Sequence, residues 1–209
     1  MKAGFADKNP AIVFDLGGVL LDWNPRYVYR SLFKGDEVAM ERFLSEVCTP
    51  EWNSRQDAGR SLAEATAELL AQYPRHGELI EAYYGRWEEM LAGPIEGTVS
   101  VLEDLHGQGH YLCALSNWSA ETFPIAQKRY DFLGRFQTIV LSGEERLIKP
   151  DPAIFQVLLK RIGRRAEECL FIDDVPANAE GARQLGFEAI VFTSPEDLRS
   201  QLRKYGLAV

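Results

Sequence analysis

The sequence predicts an α/β protein: a doubly wound parallel sheet, interrupted after its first strand by an all-helical insert. Two observations carry this expectation. From about residue 93 to the end, short apolar runs alternate with segments of helical period, the pattern of βαβ units whose sheet is covered on both faces. Between residues 23 and 92 helical patterning is continuous, and no strand is expected there. The expected organisation is residues 1–22 with 93–209 as the sheet-bearing core and 23–92 as a helical cap.

Residues 1–10 read as a polar lead-in. Ala11 to Phe14 is an apolar run ending abruptly on Asp15, the signature of a fully buried strand. Gly17-Gly18 permits backbone conformations and close approaches that a Cβ forbids, before a second apolar run, Val19 to Leu21, and Asp22. Asn24-Pro25 reads as a helix cap followed by proline at the first helical position. Val28, Leu32 and Phe33 suit one helix face; Val38, Phe43, Leu44 and Val47 suit the next, with Asp36 as its cap. Ser61 to Glu64 is a capping box, and Leu79, Ile80, Tyr83, Tyr84, Trp87, Met90 and Leu91 form a further amphipathic stripe. Ala92 to Gly97 breaks the helical pattern. Strands are then expected at Tyr111–Leu115, Thr138–Leu141, Cys169–Ile172 and Ala189–Phe192, each separated from the next by a helix. The last helix opens at Ser194-Pro195.

A net charge of −8 argues against nucleic acid or an anionic membrane as the main partner. It does not exclude a small anionic ligand, because a bound metal can invert the local field. Cys48, Cys113 and Cys169 form no CxxC, and the latter two lie in apolar runs, so they read as core residues of a reducing compartment. Lys2 is followed by no continuous apolar stretch before Asn9-Pro10, and no run approaches the roughly 18 residues of a membrane span. The expectation is a cytoplasmic protein.

Polar residues follow the core strands in a recurring way. Asp15 follows the first, Ser116-Asn117 the second, Lys149-Pro150 comes shortly after the third, and Asp173-Asp174 follows the fourth. In a parallel sheet all carboxyl ends share one edge, so these groups converge on one crevice. Two adjacent carboxylates beside buried apolar residues repel unless a cation or proton lies between them. Oxygen ligands suit Mg²⁺, a hydroxyl and a lysine suit phosphoryl oxygens, and a carboxylate can serve as a nucleophile.

These four segments, Phe14 to Leu20, Leu115 to Asn117, Lys149 to Pro152 with Ile154-Phe155, and Phe171 to Asp174, resemble in order the four motifs of the haloacid dehalogenase superfamily. The match spans essentially the whole chain, and the Asp-Leu-Gly start and Asp22 resemble the branch typified by α-D-glucose-1-phosphate phosphatase. The resemblance implies a Rossmann-like core, a helical cap and a Mg²⁺-dependent phosphatase acting on a small phosphorylated metabolite. It implies Asp15 as the nucleophile, with Mg²⁺ held by Asp15, the Gly17 carbonyl and Asp174, and Asp173 as a ligand or its neighbour. Ser116 would hydrogen-bond a phosphoryl oxygen with the Asn117 backbone nearby, and Lys149 would neutralise charge.

One position departs from the family pattern. Its phosphatases usually carry a second Asp two residues after the nucleophile as general acid and base, and here that residue is Gly17. Such help is typically worth about 10²–10⁴ in rate, so another proton source is implied; Asp22 is a distant candidate. Cap-loop residues Trp23, Arg26, Trp52, Arg55, Gln56 and Asp57 are expected near the crevice, with Trp23, Arg26 and Arg55 as substrate contacts. Two alternatives remain: a metal-independent 2-haloacid dehalogenase, or a weakly active binding or signalling protein that retains the site.

Overall fold

A computed structural model describes residue 5 and residues 9–209; most of the polar lead-in lies outside the described residues. Five strands form one parallel sheet: β1 (Ala11–Phe14), β4 (Tyr111–Ser116), β5 (Thr138–Leu141), β6 (Cys169–Asp173) and β7 (Glu188–Val191). Their order is β5-β4-β1-β6-β7. The chain builds outward from β1 on one side, then returns to build on the other, so the topological switch falls beside β1.

The central strands are buried on both faces because their side chains alternate between two apolar layers. Ile12 and Phe14 of β1, Leu112 and Ala114 of β4, and Leu170 and Ile172 of β6 join one layer. Ala11 and Val13, Cys113 and Leu115, and Cys169 and Phe171 join the other. Two helices, α9 (Pro152–Ile162) and α10 (Pro176–Gln184), cover the second layer, and α11 (Pro195–Lys204) packs through Leu198 and Leu202 on the first. Asp151 caps α9 by accepting from the Ala153 amide at 2.8 Å. Ser194 caps α11 by accepting from the Asp197 amide at 3.2 Å.

Within residues 23–92 lie five α-helices: α1 (Arg26–Leu32), α2 (Glu37–Glu46), α3 (Pro50–Asp57), α4 (Leu62–Gln72) and α5 (Gly77–Gly85). The Ser61/Glu64 capping box is formed at the start of α4. Asn24 accepts from the Arg26 amide at 3.0 Å, the expected cap contact, while α1 itself starts one residue later than expected, at Arg26. The helices share an aromatic centre in which Tyr29 meets Phe43 and Tyr83, and Trp52 meets Tyr83 and Tyr84. This centre is continuous with the apolar layer of the sheet.

The expectation that no strand falls within 23–92 is corrected. β2 (Leu21–Trp23) pairs antiparallel with β3 (Leu91–Pro94), and the two close the base of the helical insert. Leu91 belongs to the helical stripe that the sequence predicts. That stripe ends at α5, a 3₁₀ turn covers Trp87–Met90, and the chain is extended from Leu91. A three- or four-residue ribbon is too short for period 2 to register against a helical background. The remaining core helices are α6 (Glu96–Gly107), α7 (Phe123–Arg129) and a single turn, α8 (Ser142–Glu145).

Candidate active site

Hydrogen bonding in the sheet sets the depth of the site. The Asp15 amide donates to the Ile172 carbonyl at 2.8 Å, carrying β1 pairing one residue past the strand. Asp15 therefore sits at the carboxyl edge, level with the ends of β4 and β6. Its Oδ1 accepts from the Leu16 amide at 2.7 Å and lies 3.0 Å from the Lys149 ammonium. The Ser116 hydroxyl lies close enough to this carboxylate to favour its ionised form.

The Lys149 side chain is fully enclosed, its ammonium 5.4 Å from the centroid of the Phe171 ring. Its Nζ donates to the Leu115 carbonyl at 2.8 Å and to Asp173 Oδ2 at 2.7 Å. The loop bearing it is tied to β4 by Asn117, whose side chain accepts from the Lys149 amide at 2.8 Å and donates to the Lys149 carbonyl at 3.1 Å. The Asn117 side chain is thus committed to holding Lys149.

The adjacent carboxylates Asp173 and Asp174 divide. Asp173 is wholly buried and receives the Val175 amide at 2.8 Å and the Asn178 amide group at 3.1 Å on both oxygens, besides Lys149. Asp174 is exposed on the cavity wall. Asn178 carried no sequence signal: it lies on the first turn of α10, five residues beyond Asp173, and only the fold turns it back.

Burial pushes the Asp15 carboxyl up to about 7, against the lowering effect of Lys149 and with Asp173 adding to the rise. Asp174 is raised too, first by partial desolvation at the cavity wall and then by Asp173. For Lys149, burial alone would favour the neutral form, but Asp15 and Asp173 outweigh it and hold the ammonium above its usual range. Oxygens of Asp15, Asp173 and Asp174 all lie within 4.8 Å of one another. Three carboxylates against one lysine leave an excess of negative charge in a partly buried space. Hard oxygen donors with that excess fit a divalent cation such as Mg²⁺.

The site opens into a cavity of about 280 Å³. The core contributes Asp15, Gly17, Gly18, Ser116 and Asp174 to its lining, and Trp118, Ser119 and Thr122 extend this side. Trp23 and the helical insert, through Asn53, Asp57, Tyr84 and Trp87, form the opposite wall. The two sides are clasped: the Ser142 hydroxyl donates to the Asp57 carbonyl at 2.5 Å and accepts from the Trp118 amide at 2.9 Å. Trp87 packs on Trp118 with ring centroids 5.7 Å apart.

Of the expected substrate contacts, Trp23 lines this cavity, and its indole N–H has no partner among the described residues. Arg26 and Arg55 do not line it. Arg26 makes a paired contact with Glu41 on an exposed face, and Arg55 pairs with Glu68. Opposite charges within the helical insert satisfy both guanidiniums, so their place as substrate contacts is withdrawn. Asp22 is likewise occupied, accepting from the Tyr27 hydroxyl at 2.7 Å, and is absent from the cavity lining. Tyr84 and Trp87 went unassigned as cavity residues because an aromatic on a helical stripe reads as core, and Trp118 lies in the loop after β4, where no period marks it.

Comparison with known proteins places this arrangement. The chain is 25% identical over 194 residues to a sesquiterpene phosphatase of Aspergillus oryzae, covering 93% of this chain and 95% of that one. It is 33% identical over 195 residues to a drimenol cyclase of Aspergillus calidoustus, where it spans 35% of the relative's length. A HAD family enzyme of Bacteroides thetaiotaomicron, solved in complex with magnesium and inorganic phosphate, superposes with a TM-score of 0.70 at 22% identity. That match covers 93% of this chain and 99% of the other. The sequence model of the haloacid dehalogenase-like hydrolases matches residues 10–186, and the chain belongs to that family.

Proposed function

We propose that this protein is a Mg²⁺-dependent phosphatase hydrolysing a small monophosphate ester, a sugar phosphate such as glucose 1-phosphate being representative, through an aspartyl-phosphate on Asp15. The carrying observation is a buried carboxylate at a strand end, paired to a buried lysine at 3.0 Å and flanked by Asp174. The similarity to a sesquiterpene phosphatase and the magnesium and phosphate in the structural neighbour support the same reading. Residues 1–22 and 93–209 would form the catalytic core, and 23–92 the cap that selects substrate.

Asp15, the Gly17 carbonyl and Asp174 are the groups that would hold Mg²⁺, since Asp173 already receives four hydrogen bonds on its two oxygens. A bound Mg²⁺ would draw charge from the phosphoryl oxygens and keep Asp15 ionised. Asp15 then attacks phosphorus as the ester oxygen departs, and water later cleaves the acyl phosphate. Lys149 offsets the charge of Asp15 and of the phosphoryl group from a position fixed by Asn117, Asp173 and Leu115. Ser116, beside Asp15, can turn its hydroxyl to a phosphoryl oxygen. Such catalysis is mostly positioning and electrostatic stabilisation.

The cavity walls bear on the substrate. Trp23, Tyr84, Trp87 and Trp118 offer aromatic faces and no arginine or histidine lines the cavity among the described residues. Aromatic faces accept sugar C–H surfaces or apolar carbon skeletons equally. Without a second cation, a bisphosphate or a carboxylated ester would bury an unpaired charge. The favoured substrates are therefore neutral alcohols bearing one phosphate. The dehalogenase alternative is weakened by the carboxylate surplus, which carbon-directed displacement does not need.

The test is a panel of phosphate esters and 2-haloacids, assayed for phosphate and chloride release with Mg²⁺ and with chelator. Mg²⁺-dependent phosphate release is expected. Chloride release, or turnover persisting in chelator, would refute the reading.

A further inference from the structure

Gly17 stands where a second carboxylate would be, and a Cβ built there meets no atom within 4 Å. The chain thus leaves open space beside Asp15. Across the same cavity stands a carboxylate that neither the metal site nor the phosphoryl contacts use: Asp57, the last residue of α3.

Its setting is built rather than incidental. The Asn53 side chain donates to Asp57 Oδ2 at 3.1 Å, the Tyr84 hydroxyl donates to Asn53 Oδ1 at 2.9 Å, and Gln56 donates to that hydroxyl at 2.8 Å. Arg60 closes the chain by donating to Gln56 Oε1 at 2.8 Å. From the core, the Ser142 hydroxyl pins the Asp57 carbonyl, and the Ser119 amide lies close enough to favour the ionised carboxylate. The end of α3 is thereby fixed to the core at the mouth of the β4 and β5 loops.

Resting on the phosphatase reading, we propose that Asp57 is the general acid and base of the reaction, supplied from the helical insert in place of the carboxylate missing at Gly17. In the first half-reaction Asp15 forms its bond to phosphorus, the ester P–O bond breaks, and the leaving oxygen takes the Asp57 proton to depart as an alcohol. In the second, water gives a proton to the Asp57 carboxylate and its oxygen to phosphorus. The bond between Asp15 and phosphorus breaks, phosphate leaves, and Asp57 is protonated again.

The electrostatics suit this cycle. Burial raises the Asp57 carboxyl to about 7; the Ser119 amide lowers it and Asp15 across the cavity raises it. The other groups facing it are the Tyr83 and Tyr84 hydroxyls, both held far above neutral pH by burial. Arg60 is engaged by Gln56 and Glu68. An acid that titrates near the working pH can give a proton and take one back.

The experiment compares Asp57→Asn with wild type on p-nitrophenyl phosphate, whose leaving group needs no proton, and on glucose 6-phosphate, whose leaving group does. Asp57→Asn is expected to lower kcat/KM for glucose 6-phosphate by about 10²–10⁴ and for p-nitrophenyl phosphate by less than about tenfold. It should also release p-nitrophenolate in a burst, because water attack lacks its base. Adding Gly17→Asp to Asp57→Asn should recover at least about tenfold on glucose 6-phosphate. Equal losses on both esters, or no loss, would overturn the proposal. Wild type supplies a check that needs no variant: a shallow dependence of kcat/KM on leaving-group acidity across substituted phenyl phosphates is expected, and a steep one overturns it. A wild type that hydrolyses no ester would overturn the phosphatase reading instead, which separates the two failures.

Discussion

Gly18 and Gly17 are neighbours with opposite structural demands, and substituting each by alanine tests how the metal site is built. Gly18 has φ +74°, and a Cβ there would lie 2.3 Å from Asp174 Oδ2. The left-handed conformation alone costs a non-glycine residue about 1–2 kcal/mol. At about 2–4 °C per kcal/mol for a chain of this size, Gly18→Ala should lower Tm by about 2–8 °C. The contact is the larger disturbance. Carbon is comfortable only at roughly 3.5 Å, so the Asp174 carboxylate must withdraw by about an ångström from the position proposed for Mg²⁺. Disturbing the setting of a ligand typically weakens metal binding about 10–100-fold. Gly17 has no positive φ and open space around its Cβ, so Gly17→Ala should leave Tm unchanged or raise it by up to about 1 kcal/mol worth of stability. The assay is thermal melting of both variants, and Mg²⁺ titration by calorimetry for Gly18→Ala. Wild-type Mg²⁺ affinity in Gly18→Ala would refute the assignment of Asp174.

Asp15→Asn should abolish turnover with little change in Tm; residual activity above a few per cent would remove its role as nucleophile. Asp174→Ala should weaken Mg²⁺ binding, with activity partly restored at high Mg²⁺, read from the Mg²⁺ dependence of kcat. Lys149→Met would leave Asp15 and Asp173 buried without their counter-ion, and should cost about 3–5 kcal/mol, measured by urea denaturation; a loss under about 1 kcal/mol would contradict the burial of the pair. Asp57 holds its proton more tightly folded than unfolded, so its contribution to stability is full below about pH 4 and is lost as pH rises through about 7. Asp57→Asn should therefore match wild type near pH 4 and gain on it by pH 8, by at most about 4 kcal/mol; a Tm difference that does not change with pH would count against a buried carboxyl.

Much of the site was legible because parallel sheets put every strand's carboxyl end on one edge. Asp15, Ser116, Lys149 and Asp173-Asp174 could be assigned to a single crevice from their positions after apolar runs alone. The division of labour between Asp173 and Asp174 was not legible. It depends on Asn178 and the Val175 amide reaching back to saturate Asp173, contacts with no periodic trace. Arg26 and Arg55 misled for a related reason. A cation on a helix near a crevice looks the same whether it faces ligand or pairs with a carboxylate, and here Glu41 and Glu68 claim both.

The apolar periodicities of this chain determined its layers: five buried strands, helices on both faces, and a helical block between the first strand and the second. The residue types at the strand ends determined the chemistry available there, an acid nucleophile with a lysine and hard-cation ligands. Only the tertiary structure decided which face of that block meets the core. The β2–β3 ribbon, the Ser142 clasp on Asp57 and the Trp87–Trp118 contact place Asp57 in the cavity opposite Gly17. Sequence separates those two residues by a whole helical segment. Their juxtaposition comes from long-range packing, which no local pattern encodes.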